Sequence, residues 1–245
     1  VDMDQEEVGR IIARYNIPSV PVVGPDNLLL GRVTWDDVID VLEAEQTEDI
    51  LRLGGVDAEE ELRGSWVDAV KSRLPWLFAN LITAAVAASV VSIYLDTIEA
   101  IAVLAVIMPV IAGMGGNAGT QALTVTVRRL ALSDHSDVRR WGVVGKEIIV
   151  GLFNGAALGA TVSGASVLLG MLFPETWTSE PRLGLVVLLA MWGNMIVASF
   201  AGAFVPILLE RLGVDPAVAS SIFVTTLTDL AGFFLLLGLA SALLL

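Results

Sequence analysis

Two hydrophobic rhythms divide the chain: short alternations up to about residue 73, then long apolar runs to the end. In the first part, Val8, Ile11 and Ile12 recur at helical spacing within Gln5–Tyr15 and predict a short amphipathic helix. "SVPVV" (Ser19–Val23) and "LLLGRVT" (Leu28–Thr34) read as strands around the turn "GPDN". A second helix is predicted from Trp35, with Val38, Ile39, Val41 and Leu42 on its apolar face. Asp36, Asp37, Asp40, Glu43, Glu45, Glu48 and Asp49 spread along the other. A further polar helix, Ala58 to Arg73, leads into the apolar part.

That part offers five candidate spans: Pro75–Tyr94, Ile98–Val127, Val143–Phe173, Leu183–Leu209 and Pro216–Leu245. Each supplies the ~20 residues that a bilayer core of about 30 Å demands. The predicted fold class is therefore mainly α: a polytopic membrane protein with five transmembrane helices per subunit. Its expected divisions are a partial α/β module at 1–42, acidic connecting helices at 43–73 and a membrane domain at 74–245. Arg63, Lys71 and Arg73 precede the first span, and Arg128, Arg129, Arg139, Arg140 and Lys146 join the second to the third. The loop with Asp96 and Glu99 has no base, and "PETWTSEPR" has only Arg182. The positive-inside rule then puts the N-terminus in the cytoplasm and the C-terminus outside. Trp66, Trp76, Trp141 and Trp177 fall near predicted interfaces, with Trp192 as the exception.

Composition sharpens this division. The chain is 55% hydrophobic with a mean hydropathy of +0.76, yet its net charge is −13. Residues 1–73 hold 17 of the 27 acids and 7 of the 14 bases. Such a balance argues against nucleic acid as a partner. The absence of cysteine removes thiolate metal sites, and the lone His135 lies in a charged loop, so neither a zinc site nor a histidine-based triad is expected. No nucleophile–base pair or H-E-x-x-H motif appears, and the chain is not expected to be an enzyme. No cleavable signal peptide opens the sequence, and a start at Val1 suggests a piece of something longer.

Within the spans, three features bear on chemistry. Gly151, Gly155, Gly159 and Ser163 recur at four-residue intervals, a spacing that lets helices pack closely. In the second span, Pro109 and the glycines at 113, 115, 116 and 119 are expected to interrupt helical order and release carbonyl groups, beside the neutral oxygens of Asn117, Thr120, Gln121 and Thr124. The fifth span holds one ionisable residue, Asp229, with Ser221, Thr225, Thr226 and Gly232 on its helical face. An acid inside a membrane costs several kcal/mol and marks a functional site by default. No Lys or Arg lies well inside any span, which leaves Arg128 as the nearest basic candidate by depth.

"PVV" followed by "GRVTWDDV" (Gly31–Val38), with "EAEQTEDILRLGGV" after it, resembles the second half of a CBS module. In nucleotide-binding members the Thr and Asp of this signature, here Thr34 and Asp37, contact ribose; with half a module present, nucleotide binding is not expected. "PVIAGMGGNAGTQALTVTVRRLAL" and "SSIFVTTLTDLAGFFLLLGLA" resemble the second and fifth spans of the MgtE family of magnesium channels, and the similarity covers nearly the whole chain. The resemblance implies a homodimer in the plasma (inner) membrane of a prokaryote, with one Mg²⁺ path along the two-fold axis. Its pore aspartate corresponds to Asp229 and its Gly/Asn-rich stretch to the region around Asn117, and oxygens near Asn117 and along the Thr225 strip are expected to help Asp229 hold the ion. In the family a plug-like acidic connecting helix, together with acids of the CBS module, binds cytosolic Mg²⁺ to close the pore, and those acids map onto Asp37, Asp40, Glu45, Glu48 and Asp49. The chain departs from the family pattern in lacking an acidic N-terminal domain and a first CBS motif.

Elementary chemistry favours the same ion. Mg²⁺ sheds water reluctantly, so a filter presents a few oxygens to a hydrated ion, and two aspartates across a dimer axis would do so. Two other classes remain open on the residues: a secondary transporter in which Asp229 carries a proton coupled to cation movement, and a membrane-anchored sensor that transports nothing.

Overall fold

A computed structural model describes residues 1–56, 64–132, 137–174, 177, 180–217 and 220–245. The chain opens with α1 (Gln5–Tyr15), an antiparallel hairpin of β1 (Ser19–Val23) and β2 (Leu29–Thr34), and α2 (Trp35–Leu53). Asn27, at φ 55, turns the hairpin by donating its N–H to the Gly24 carbonyl at 3.0 Å. Ile12 and Val38 are buried where α1 packs on α2. Thr34 starts α2: its N–H and hydroxyl donate to Asp37 Oδ2 at 2.8 and 2.6 Å.

Five helices are long and apolar enough to cross a membrane, and the chain is a membrane protein. They are α3 (Trp66–Ile93), α5 (Val103–Leu132), α6 (Asp137–Leu172), α7 (Pro181–Arg211) and α8 (Ser220–Leu244), with a short α4 (Leu95–Ala100) before α5. Two boundaries differ from the sequence reading. Trp66–Arg73 is the first part of α3 rather than a separate polar helix, because the Ser65 hydroxyl donates to Asp68 Oδ2 at 2.6 Å and starts the helix there. Residues 58–63 of the predicted polar helix, and His135, lie outside the described residues. Ile98 belongs to α4, and the break at Ile101 delays the second span to Val103.

α7 is the central element. More than half of its apolar window is buried, 56%, against 6% for α3, which packs on α8 at the rim. Leu183, Val186, Val187, Ala190 and Met191 of α7 meet Leu104, Ile107 and Ile111 of α5 and Leu236, Leu237 and Ala240 of α8. The four-residue repeat of α6 forms the seam with α7, as its spacing predicts. A Cβ on Gly155 would stand 2.9 Å from Met195 Cβ, one on Gly159 2.9 Å from the Leu188 carbonyl, and Ser163 Oγ donates to the Gly184 carbonyl at 2.7 Å. Trp192 departs from the interfacial belt for a concrete reason: its Nε1 donates to the Leu152 carbonyl at 2.9 Å across this seam.

Candidate functional site

α5 is an unbroken helix through Pro109 and all four glycines, so the expected interruption with released carbonyls does not occur. Proline removes one ladder bond, but the remaining carbonyls keep their helical partners. The glycines serve contact instead. A Cβ on Gly119 would stand 3.4 Å from Thr228 Cγ2 and closer still to Val224 on α8, while Gly115 lies against the carboxamide of Asn194 on α7. Gly232 of α8 meets that same carboxamide, its Cβ position 2.9 Å from Asn194 Nδ2.

These contacts fix an antiparallel register in which Gly119 lies opposite Val224 and Thr228, and Gly115 is level with Gly232. Asn117 and Asp229 therefore occupy a common depth on neighbouring helices. Asn117, Thr120, Gln121 and Thr124 form an exposed polar strip on α5. Thr225 is exposed and Asp229 half-buried on α8. Thr120 and Thr124 spend their hydroxyls on the carbonyls of Gly116 and Thr120 at 2.9 Å. Among the described residues, Asp229 has neither an ion-pair nor a hydrogen-bond partner, and Asn117 and Gln121 likewise keep their polar atoms unpaired. Arg128 is not a partner for Asp229. It is nine residues along α5 from Gly119, a displacement of about 14 Å at the helical rise, toward the opposite end of the register.

An acidic side chain at the centre of a membrane helix costs about 3 kcal/mol on insertion scales, and uncompensated carboxamides add to this. The arrangement is thus stable where water, a cation or a second protein surface meets the strip. Among the described residues no group of three acidic or histidine side chains could hold a metal ion within one chain.

The predicted cytoplasmic acids separate into two sets. Asp37 and Asp40 are exposed, and Asp37 is engaged by Thr34, whose hydroxyl and N–H hold its carboxyl below the usual carboxylate range. Glu45, Glu48 and Asp49 line a cavity of about 520 Å³ together with Arg52 and Asp215. Arg52 pairs with both Glu48 and Asp215 and so ties α2 to the segment joining α7 and α8. Gln5 Nε2 donates to Glu45 Oε1 from α1.

Sequence reasoning missed several polar groups. Asn194 is fully buried at mid-α7; its Nδ2 donates to the Ile111 carbonyl at 3.0 Å, and its Oδ1 has no partner. The signal was a lone carboxamide in the apolar run "LLAMWGNMIVASF". Glu147 is only 6% exposed within the apolar α6, with Lys146 Nζ at 3.7 Å. Thr228 is buried and donates to the Thr225 carbonyl at 2.8 Å. The Arg52–Asp215 pair joins residues too distant in sequence to be read as neighbours.

Comparison with known proteins accords with this geometry. The model of the MgtE family, described as divalent cation transporter, matches residues 108–239, which include both Asn117 and Asp229. The magnesium transporter MgtE of Thermus thermophilus is 41% identical over 99% of this chain and 52% of its own length. The Enterococcus faecalis protein of that name is 40% identical over 97% of the chain and 51% of its own length, and the Bacillus subtilis one 33% identical over 98% and 51%. The chain spans about half the length of these curated relatives. With a family match over more than half its residues and the polar strips of α5 and α8 inside it, the chain belongs to the MgtE family.

Proposed function

We propose that this chain forms the membrane domain, with part of a CBS module, of a homodimeric Mg²⁺-selective channel, and that Asp229 of each copy faces a partly hydrated Mg²⁺ in the conduction path. The observation that carries this reading is the pair of polar strips on neighbouring helices, exposed at Asn117, Thr120, Gln121, Thr124 and Thr225 and centred on the half-buried Asp229, an acid without a partner among the described residues. In lipid such a surface is costly, whereas around a water-filled path it becomes the wall. A closed two-fold contact repeats Asn117, Thr225 and Asp229 on the opposing wall. Two carboxylates then offset the charge of one divalent ion, and carboxamide and hydroxyl oxygens meet its water shell, as suits an ion that dehydrates reluctantly. The relatives named as magnesium transporters support the choice of ion.

Residues 1–42 act as the partial CBS module and 43–73 as its acidic connection, on the cytoplasmic side of a prokaryotic inner membrane. Cytosolic Mg²⁺ attracted by the negative charge of Glu45, Glu48 and Asp49, with Asp37 and Asp40 nearer the start of α2, rather than caged by three of them in one chain, shifts the chain toward a closed arrangement. The protein performs transport rather than bond-making chemistry, and no nucleotide enters the scheme. The test is Mg²⁺ entry into liposomes holding a Mg²⁺-sensitive dye, for wild type beside Asp229→Asn. Entry lost in the folded Asn variant and indifferent to an imposed pH gradient supports the channel. Entry that tracks the pH gradient supports a proton-coupled carrier instead, and absence of entry for wild type supports a sensor.

A further inference from the structure

The three helices around Asn194 share one unusual contact. Its carboxamide, fully buried at the middle of α7, occupies a slot formed by two missing side chains: Gly115 on α5 and Gly232 on α8. The three atoms nearest a Cβ at Gly115 would all belong to Asn194, among them Cγ at 3.1 Å and Oδ1 at 3.3 Å, so this notch faces the carboxamide. At Gly232 the Cβ would stand 2.9 Å from Nδ2 and 3.3 Å from both Asn194 Cγ and Ile111 Cγ2. Nδ2 donates to the Ile111 carbonyl at 3.0 Å, one turn before Gly115. Oδ1 is buried without a partner. An apolar side chain of the same branched shape, such as leucine, would bury no lone acceptor, so packing alone does not account for an amide here. A directional bond does: apolar contact lets α5 slide along α7, whereas the bond to the Ile111 carbonyl selects one axial position. Gly115 precedes Asn117 by two residues, and Gly232 follows Asp229 by three.

We propose that Asn194 is a positioning residue for the ion path: wedged between Gly115 and Gly232, it sets the axial register of α5 against α8 and thereby the affinity for Mg²⁺ at Asp229. This rests on the proposed role of Asp229, which the experiment tests separately. Asn194 touches no ion itself, because it is enclosed by the three helices.

The experiment measures Mg²⁺ flux in liposomes against Mg²⁺ concentration for Asn194→Leu, Gly115→Ala, the double variant Gly115→Ala/Asn194→Ser and Asp229→Asn, each normalised to folded protein. Asn194→Leu keeps the branched shape and loses the bond; Gly115→Ala displaces the amide. Both should raise the half-saturating Mg²⁺ concentration roughly tenfold, as loss of outer-shell support does at metal sites, with a smaller change in maximal flux. Serine at 194 makes room for the new Cβ but is too short to reach the Ile111 carbonyl, so the double variant should recover only the part of the affinity lost in Gly115→Ala to helix displacement. Wild-type half-saturation in folded Asn194→Leu and Gly115→Ala, with flux lost in Asp229→Asn, would overturn the positioning role alone. Failure of both single variants to fold would assign Asn194 a purely structural role and overturn it too. Undiminished flux in Asp229→Asn would instead remove the underlying reading of the path.

Discussion

Adding one methyl group to α6 should have opposite effects at two of its glycines. At Gly151 a Cβ would stand 2.6 Å from Ser199 Oγ, 2.8 Å from Ser199 Cβ and 2.8 Å from the Met195 carbonyl. The serine hydroxyl can rotate, but the carbonyl belongs to the α7 backbone, so reaching an ordinary contact of 3.4 Å requires about 0.6 Å of separation between the helices. Overpacking of this kind costs about 1–3 kcal/mol. At Gly164, in the same helix, a Cβ meets nothing within 4 Å. Both substitutions gain the helical preference of alanine over glycine, about 1 kcal/mol, so this gain cancels in the comparison. Gly164→Ala should melt at or slightly above wild type, and Gly151→Ala below Gly164→Ala by ~1–3 kcal/mol, or several degrees for a chain of this size. Thermal ramps in one detergent, followed by size-exclusion recovery, measure the difference. A Gly151→Ala protein as stable as Gly164→Ala would refute the close α6–α7 seam.

Three further outcomes follow from other contacts. The Arg52–Asp215 pair leaves the two side chains 29% and 36% exposed, so solvent screening limits it to about 1 kcal/mol; Arg52→Ala, or 1 M salt on the wild type, should each speed amide exchange at Ala217, whose N–H is held by Asp215 Oδ1 at 2.8 Å, and unchanged exchange would count against the tie. Because Thr34 holds the Asp37 carboxyl below its ordinary value, the bond contributes stability above the unfolded value of about 3.9 that is lost as pH falls through the lower folded value. Thr34→Val should therefore weaken exchange protection in the first turn of α2 at neutral pH and flatten its loss below about pH 4, whereas an unaltered acid profile would deny Thr34 that role. The homodimer expectation is checked by Thr225→Cys in this cysteine-free chain: oxidation should join two copies, and monomeric mass with no crosslink would contradict it.

Long apolar runs made the spanning helices legible, since length and hydropathy alone decide what a bilayer accepts. The four-residue repeat from Gly151 also carried its partner-facing meaning, because small side chains at one helical face have few other uses in lipid. Pro109 and its neighbouring glycines misled for a related reason: in isolation they weaken a helix, yet packing against α7 and α8 holds α5 straight and uses Gly115 and Gly119 as notches. Asp229 was visible as a charge in an apolar run. Its common depth with Asn117 was not, because register between helices arises from contacts such as Gly119 with Val224, which no local pattern encodes. Asn194 escaped notice because a single carboxamide hardly alters the hydropathy of α7, although its burial decides what it can do. Arg52 and Asp215 are separated in sequence by four of the five spanning helices, so only the folded chain joins them.

Whether Asp229 stands in a Mg²⁺-conducting path is decided by a reversal potential. With the dimer in a planar bilayer, equal pH on both sides and a tenfold Mg²⁺ gradient, a selective divalent path reverses at about 30 mV, the Nernst value for two charges. Wild type should show that potential, and folded Asp229→Asn should lose it together with the Mg²⁺ current. Asp229→Asn channels reversing at the same potential with undiminished Mg²⁺ current would contradict it.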